Sequence, residues 1–450
     1  MLRISQYLRE VAAAERSGVY PQPKRRSASS SPSGPVVIWN LTRRCNLTCK
    51  HCYALSADHD YPGELSFAEV CTAMDDLKSY GVPVLILSGG EPLLRPDIFE
   101  IATRAQAQGF YTALSTNGTL IGATMAARIA AQKFDYVGIS IDGQRDTHDK
   151  FRRLDGAYDA SLNAIRLLHA QGVKTGLRYT FTDLNDQDFP ALLQLMRDEQ
   201  VDKFYFSHLN YAGRGNIHRG RDARFDATRA ALDLLFETAW ADACADVARA
   251  VAEPGAGPPQ AGLLPSGGGA EGPWGPTSRD YVTGNNDADA AYLLRWVEAR
   301  MPQWAPALRE RLVAWGGNAS GVGVANIDNL GEVHPDTMWW HYPLGNVRQR
   351  PFSAIWSDRS DPLMDGLKTK PRPVKGRCAE CAHFALCGGN TRVRAQQITG
   401  DLWAEDPGCY LDDAEIGLSA EASARLSRVE TSAFSYAAKP APKTIAIHAL

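Results

Sequence analysis

Two periodicities alternate along the chain between residues 36 and 211. Short apolar runs read as strands: VVIWNLT (36–42), VLILSGG (84–90), YTALSTNG (111–118), YVGISIDG (136–143), KTGLRYTFT (174–182) and KFYFSHLNY (203–211). Between them, SFAEVCTAMDDLKSY (66–80), DIFEIATRAQAQ (97–108), ATMAARIAAQ (123–132), AYDASLNAIRLLHAQ (157–171) and FPALLQLMRDE (189–199) carry helical patterns. Ser66 stands as N-cap of the first helix and Glu69 completes a capping box, while Asp97 stands as N-cap of the second. Near-continuous apolar strands alternating with helices predict an α/β fold with a parallel, helix-covered sheet. Six such units are fewer than a closed eight-fold barrel needs, so an open, partial (β/α)6 TIM-like barrel is expected over 36–225.

The flanking segments differ in texture. Residues 1–35 read as a docking helix, with apolar positions at Leu2, Leu8, Val11 and Ala12, followed by a flexible Pro/Ser/Arg-rich linker. Residues 226–315 read as a helical connector holding a Pro/Gly/Ala-rich insert at 253–280, expected to be a disordered surface loop. From 316 to 420 short strands and turns predict a cysteine-rich α+β extension, and 421–450 a peripheral tail. The net charge of −3 gives no global field favouring nucleic acid or an anionic membrane, and no partner of either kind is expected. No apolar run is long enough to span a bilayer, and the N-terminus lacks a secretory h-region. The expected compartment is the cytoplasm.

Of nine cysteines, seven fall in two groups: Cys45, Cys49, Cys52, and Cys378, Cys381, Cys387 with Cys409. Neighbours three and four residues apart favour metal ligation over disulfides. Cys71 and Cys244 lie alone in helical patterns and are expected to be buried core thiols. CNLTCKHCY (45–53) follows the first strand, on the loop where βα barrels collect their active sites. Its three thiols leave one ligand position open. They fit three irons of a four-iron cluster, or a zinc with His51 as the fourth ligand. SGGEP (88–92), STNG (115–118) and SIDG (140–143) end the next three strands, so four polar turns converge on one barrel mouth. The glycines of SGGEP allow backbone to approach a ligand, and Glu91 can face an amine.

Cys45, Cys49, Cys52 and Tyr53, followed by SGGEP, resemble the radical S-adenosylmethionine (SAM) superfamily. The resemblance implies a [4Fe–4S] cluster on the three cysteines, with SAM chelating the remaining iron. It also implies reductive cleavage of SAM to a 5′-deoxyadenosyl radical that abstracts hydrogen from substrate. It places Gly89, Gly90 and Glu91 near the SAM amino group, and Ser115, Asn117, Ser140 and Asp142 near its ribose or carboxylate. Arg153 becomes the partner of the carboxylate, or else a surface ion pair; Tyr53 packs by the adenine, or else in the core. His51 is then a bystander.

CAECAHFALC (378–387) with Cys409 resembles the SPASM extension of radical SAM enzymes. Asp336 and Thr391 stand where that pattern usually has further cysteines, so one auxiliary [4Fe–4S] cluster on four thiolates is implied, with structural zinc as the alternative. From about residue 36 to 412, including TMWWHYPLGNVRQRPFSAIW, the chain resembles the radical SAM proteins of haem d1 biosynthesis. That implies removal of two propionate chains from a didecarboxylated sirohaem, with flavodoxin or ferredoxin as electron donor. A haem-pathway tetrapyrrole decarboxylase or a peptide-modifying maturase is the alternative enzyme, and a zinc-scaffolded interaction protein the alternative outside enzymes. His208, Tyr211, His334, Trp339, Trp340 and His341 are candidates to face a flat tetrapyrrole, and Arg372, Lys375, Arg377, Arg392 and Arg394 to meet its carboxylates. For most of these the plainer reading is packing and solvated charge.

Overall fold

The computed structural model describes residues 1–21, 34–252 and 278–426. Most of the expected linker, insert and tail lies outside these residues. Eleven strands of the described residues form one sheet: β1 Leu2–Arg3, β2 Val36–Asn40, β3 Val84–Ser88, β4 Tyr111–Thr116, β5 Tyr136–Ser140, β6 Thr175–Phe181, β7 Lys203–His208, β8 Asp280–Gly284, β9 Val324–Ile327, β10 Glu332–His334 and β11 Gly345–Asn346. The helices that position the site are α1 Ile4–Ser17, α2 Phe67–Ser79, α3 Ile98–Ala107, α4 Ala123–Gln132, α5 Arg145–Arg152, α6 Ala157–Ala170, α7 Phe189–Asp198, α8 Gly213–Ile217, α9 Phe225–Ala252, α10 Ala288–Arg300 and α11 Ala305–Trp315.

All six expected strands form and pair in parallel in chain order, β2 to β7. The sheet runs β1-β8-β7-β6-β5-β4-β3-β2-β9-β10-β11 and stays open, with no barrel closure among the described residues. Trp39, Phe204 and Phe206 are fully buried where the strands meet the covering helices. The capping box forms as read, with the Ser66 side chain accepting from Glu69 N and the Glu69 carboxylate accepting from Ser66 N. Asp97 holds the N-cap position of α3 without a cap hydrogen bond; its carboxylate instead takes Arg95 at 2.6 and 3.1 Å.

Two connections escape the pattern. The segment 226–315 is not only helical: DYVTG, which starts on the last residue of the expected insert, forms β8 and extends the parallel sheet beside β7. β9 lies parallel to β2 on the other flank, so the cysteine-rich extension continues the barrel's own sheet. The N-terminal helix α1 packs against α9 and β8. Arg9 of α1 is buried between Asp246 of α9 and Asp280 of β8, at 2.8 Å from each. The two lone cysteines are not core thiols: Cys71 is half-buried, and Cys244 on α9 is exposed. Among the described residues no helix is long and apolar enough to cross a membrane.

Candidate active site

The loop carrying Cys45, Cys49 and Cys52 is gripped from three sides. From the β3 side, Gly90 N donates to Thr42 O at 2.7 Å and Glu91 N to Arg44 O at 2.8 Å. A Cβ on Gly90 would stand 2.3 Å from Arg44 O, and one on Gly89 2.5 Å from Thr42 O. The close approach these glycines allow is therefore to the cysteine loop's own backbone. From α5, Phe151 O accepts from Lys50 N at 3.0 Å. From α8, Arg214 donates from its backbone N to Cys52 O (2.9 Å), from Nε to Cys49 O (2.6 Å) and from Nη2 to Ser56 O (2.9 Å). Gly213 beside it takes φ +54°, and a Cβ there would meet Tyr53 O at 2.3 Å.

Cys45 and Cys49 are buried and Cys52 is half-buried. Cys45 Sγ accepts from Leu47 N at 3.4 Å and from Asn117 Nδ2 at 3.9 Å, and Cys49 Sγ accepts from Arg152 Nη1 at 3.6 Å. Burial pushes both thiols up. Among the described residues no three histidine, cysteine or carboxylate side chains converge on one ion position. A four-iron cluster can take one iron to each thiolate. Sulfurs that accept N–H bonds are the donor set such a cluster takes. His51 lies apart, stacked on Phe151 (centroids 4.7 Å, 23°) with Nε2 4.0 Å from Asp142 Oδ2; burial lowers its pKa to about 4.

The other mouth residues divide into two kinds. Glu91 is fully buried, and its carboxylate accepts from Thr116 Oγ1 (2.7 Å), Asn117 N (2.8 Å) and Leu93 N (3.1 Å). Burial raises its pKa to about 6. Asp142 is also fully buried; Oδ1 accepts from Thr180 N at 2.8 Å and Oδ2 pairs with Arg152. Both carboxylates thus hold protein groups. Asn117 bridges Cys45 and Asn46. Tyr53, Ser115 and Ser140 are half-buried on the open face. The Tyr53 hydroxyl accepts from Asn40 Nδ2 at 2.8 Å, and its ring lies 5.9 Å from Trp340.

Arg153 does not enter the site. α5 ends at Arg152, and Arg153 turns out as an exposed C-cap residue at φ 60°. The arginine that reaches a loop sulfur is Arg152. Sequence reasoning also missed Arg178 of β6, which pairs in register with Ser140 and Tyr205 and lies 5.1 Å over the Tyr205 ring. A charged residue inside an otherwise apolar strand is the signal that marks it.

Most expected substrate-facing groups point elsewhere. Along β7, Lys203 and Tyr205 take one face while Phe204 and Phe206 take the buried one. His208 follows the phenylalanines: its ring is 5.2 Å from Phe206, and Nε2 meets the Asp289 carboxylate of α10 at 3.0 Å. Tyr211 is buried and donates to Asp222 at 2.9 Å. His334 is buried between Tyr342 O (3.1 Å) and Asp328 (3.5 Å), and Trp339 is a core residue. His341 is exposed and bonds Gln396 at 2.9 Å. Trp340, half-buried against Tyr53 and stacked 6.1 Å from His334, is the member of this set that reaches the cysteine loop's surroundings. The five expected carboxylate readers have protein partners. Arg372 and Arg392 donate to backbone carbonyls, Arg394 to Asp406, Arg377 to Asp413 and Lys375 to Asp401.

Cys378, Cys381, Cys387 and Cys409 line one cavity with Phe384 and Leu411. Burial raises all four thiols, Cys409 to about 12. Asp336 is held by Met338 N, which donates to its Oδ1 at 2.7 Å, and Thr391 N donates to Asp406 at 3.1 Å; neither joins the cavity.

The family model described as Radical SAM superfamily matches residues 39–196, the span from β2 to α7 that carries this loop. The chain belongs to the radical SAM superfamily. Within it, the chain is 51% identical over 422 residues to the pre-heme d1 synthase of Dinoroseobacter shibae, covering 94% of this chain and 95% of that one. It is 40% identical to the Fe-coproporphyrin III synthase of Methanosarcina barkeri, over 86% of this chain and 90% of that one. Among solved structures, Streptococcus suis SuiB bound to precursor peptide SuiA aligns with TM-score 0.60 at 15% identity, covering 89% of this chain and 87% of that one. That likeness is one of fold.

Proposed function

We propose that this protein is the radical SAM enzyme of haem d1 biosynthesis that removes two propionate chains from a didecarboxylated sirohaem. The observation that carries the reading is the 51% identity to a pre-heme d1 synthase over 94% of the chain. Support comes from a site whose cysteines, glycines and polar turns lie together at the strand ends. Cys45, Cys49 and Cys52 hold the SAM-binding [4Fe–4S] cluster. When bound, the reduced cluster supplies the electron that cleaves SAM and starts hydrogen abstraction.

The chain's own residues set the geometry. Asn117 and Arg152 donate to the ligand sulfurs, Gly89 and Gly90 let the cysteine loop pack on β3, and Glu91 fixes the Asn117 backbone. Tyr53, Ser115 and Ser140 offer contacts to SAM, and Arg178 and Trp340 offer a cation and a flat face to an anionic macrocycle. Cys378, Cys381, Cys387 and Cys409 hold an auxiliary [4Fe–4S] cluster that exchanges electrons. A flavodoxin or ferredoxin in the cytoplasm serves as reductant.

Anaerobically reconstituted protein should shift the Soret band of didecarboxysirohaem and, with dithionite and SAM, lower its mass by the two side chains. An unchanged tetrapyrrole alongside a modified peptide would instead support a maturase. The auxiliary site has its own test. Cys409→Ala should lower iron from about eight to about four per chain and reduce tetrapyrrole product. Iron analysis that finds no loss would remove Cys409 from the ligand set.

A further inference from the structure

The buried ion pair beside Cys49 has a use that packing alone does not explain. Arg152 closes α5 and is 7% exposed, and Asp142 is 0% exposed. Arg152 Nη1 lies 3.6 Å from Cys49 Sγ, while Nη2 pairs with Asp142 Oδ2. Asp142 is fixed through one carboxylate oxygen and through its backbone. Thr180 N donates to Oδ1 at 2.8 Å, Asn185 Nδ2 to Asp142 O at 2.8 Å, and Asp142 N to His148 Nδ1 at 2.9 Å. The guanidinium is thereby held with one edge on a carboxylate and the other on a sulfur. Burial keeps this charge from being screened by solvent. Nothing else in the site brings a full positive charge to a sulfur of the first cysteine group among the described hydrogen bonds.

We propose that Arg152 and Asp142 form a pair that sets the reduction potential of the cluster on Cys45, Cys49 and Cys52. The proposal rests on the radical SAM reading of those cysteines. Arg152 is a positioning residue, acting through Cys49. Its donor draws charge from the sulfur and favours the reduced cluster, which carries one more electron. Asp142 works the other way, by drawing the guanidinium's charge to itself and by orienting it. The two residues therefore have opposite signs. Arg152→Gln removes the cation and keeps a donor, so the midpoint should become more negative. Asp142→Asn frees the cation, so the midpoint should become less negative.

The test is an electron paramagnetic resonance redox titration of the reconstituted full-length protein, with iron per chain measured for each variant. At a fixed potential, Arg152→Gln should lower the reduced-to-oxidised ratio about tenfold, which is about 59 mV for one electron. Asp142→Asn should raise the ratio, and Arg152→Lys should fall between native and Arg152→Gln. If Arg152→Gln does not assemble the cluster, Asp142→Asn and Arg152→Lys decide the sign. Midpoints unchanged from native, or shifts of the same sign in Arg152→Gln and Asp142→Asn, overturn the proposal. A native protein that assembles no reducible cluster on these cysteines overturns the radical SAM reading itself, which is a separate result.

Discussion

Cys45→Ala is expected to form no 5′-deoxyadenosine from SAM, while iron falls by about four per chain as the cluster on the loop is lost. Cys45 is the most heavily invested of the three loop cysteines. It is 6% exposed, accepts from Leu47 N and Asn117 Nδ2, and stands where burial pushes its thiol up. An alanine leaves those donors without an acceptor and one iron without a protein ligand. The fold should survive, because Cys45, Leu47 and Cys49 form a small cluster apart from the main core. Liquid chromatography of the quenched reaction, with circular dichroism as the fold control, measures both outcomes. SAM cleavage at the native rate would remove Cys45 from the chemistry.

Gly90→Ala is expected to disable the same centre without touching a ligand. The new Cβ would lie 2.3 Å from Arg44 O, 2.5 Å from Arg43 O and 2.7 Å from Arg44 C, all of them backbone. No rotamer relieves such a contact, so the segment carrying Cys45 must move away from β3. Two hydrogen bonds, Gly90 N to Thr42 O and Glu91 N to Arg44 O, move with it. The cost should be about 3 kcal/mol, seen as a lower denaturant midpoint, and iron on the first cluster should fall by more than half. Gly220→Ala is the control: nothing lies within 4 Å of a Cβ there, and its effect should stay within about 0.5 kcal/mol. Equal behaviour of the two variants would contradict the packing argument.

The parts of the fold legible in the sequence are those with strong local signals. Ser66 and Glu69 announce a helix start because both partners lie within one turn. The strands from Val36 to His208 stand out as short, mostly apolar runs separated by helical patterns. β8 was not legible: five residues, DYVTG, have too little periodicity to stand out beside a long Pro/Gly-rich segment. β9 has the same length problem, and its partner β2 lies almost three hundred residues earlier in the chain, as Val36 pairs with Val324.

The site was legible at the level of motifs and less so at the level of side chains. Cys378, Cys381, Cys387 and Cys409 share a cavity. Arg152 and Arg153 are adjacent, and only the end of α5 decides which is buried. His208 lies at the right end of β7 but on the wrong face, and the two-residue alternation with Phe204 and Phe206 is a signal that could have excluded it. Glu91 and Asp142 occupy their expected turns, but their oxygens hold Thr116, Asn117, Thr180 and Arg152. A pattern of residue types locates a polar group; whether the fold has already supplied its partners is decided by tertiary structure.

The most direct measurement is the ratio of 5′-deoxyadenosine formed to tetrapyrrole product. It is taken with the anaerobically reconstituted native protein, dithionite, SAM and didecarboxysirohaem. Removal of two propionate chains, each begun by one hydrogen abstraction, predicts about two 5′-deoxyadenosine per product. A protein carrying its full iron that forms no 5′-deoxyadenosine, or that forms it while the tetrapyrrole keeps its mass, would contradict the proposed function.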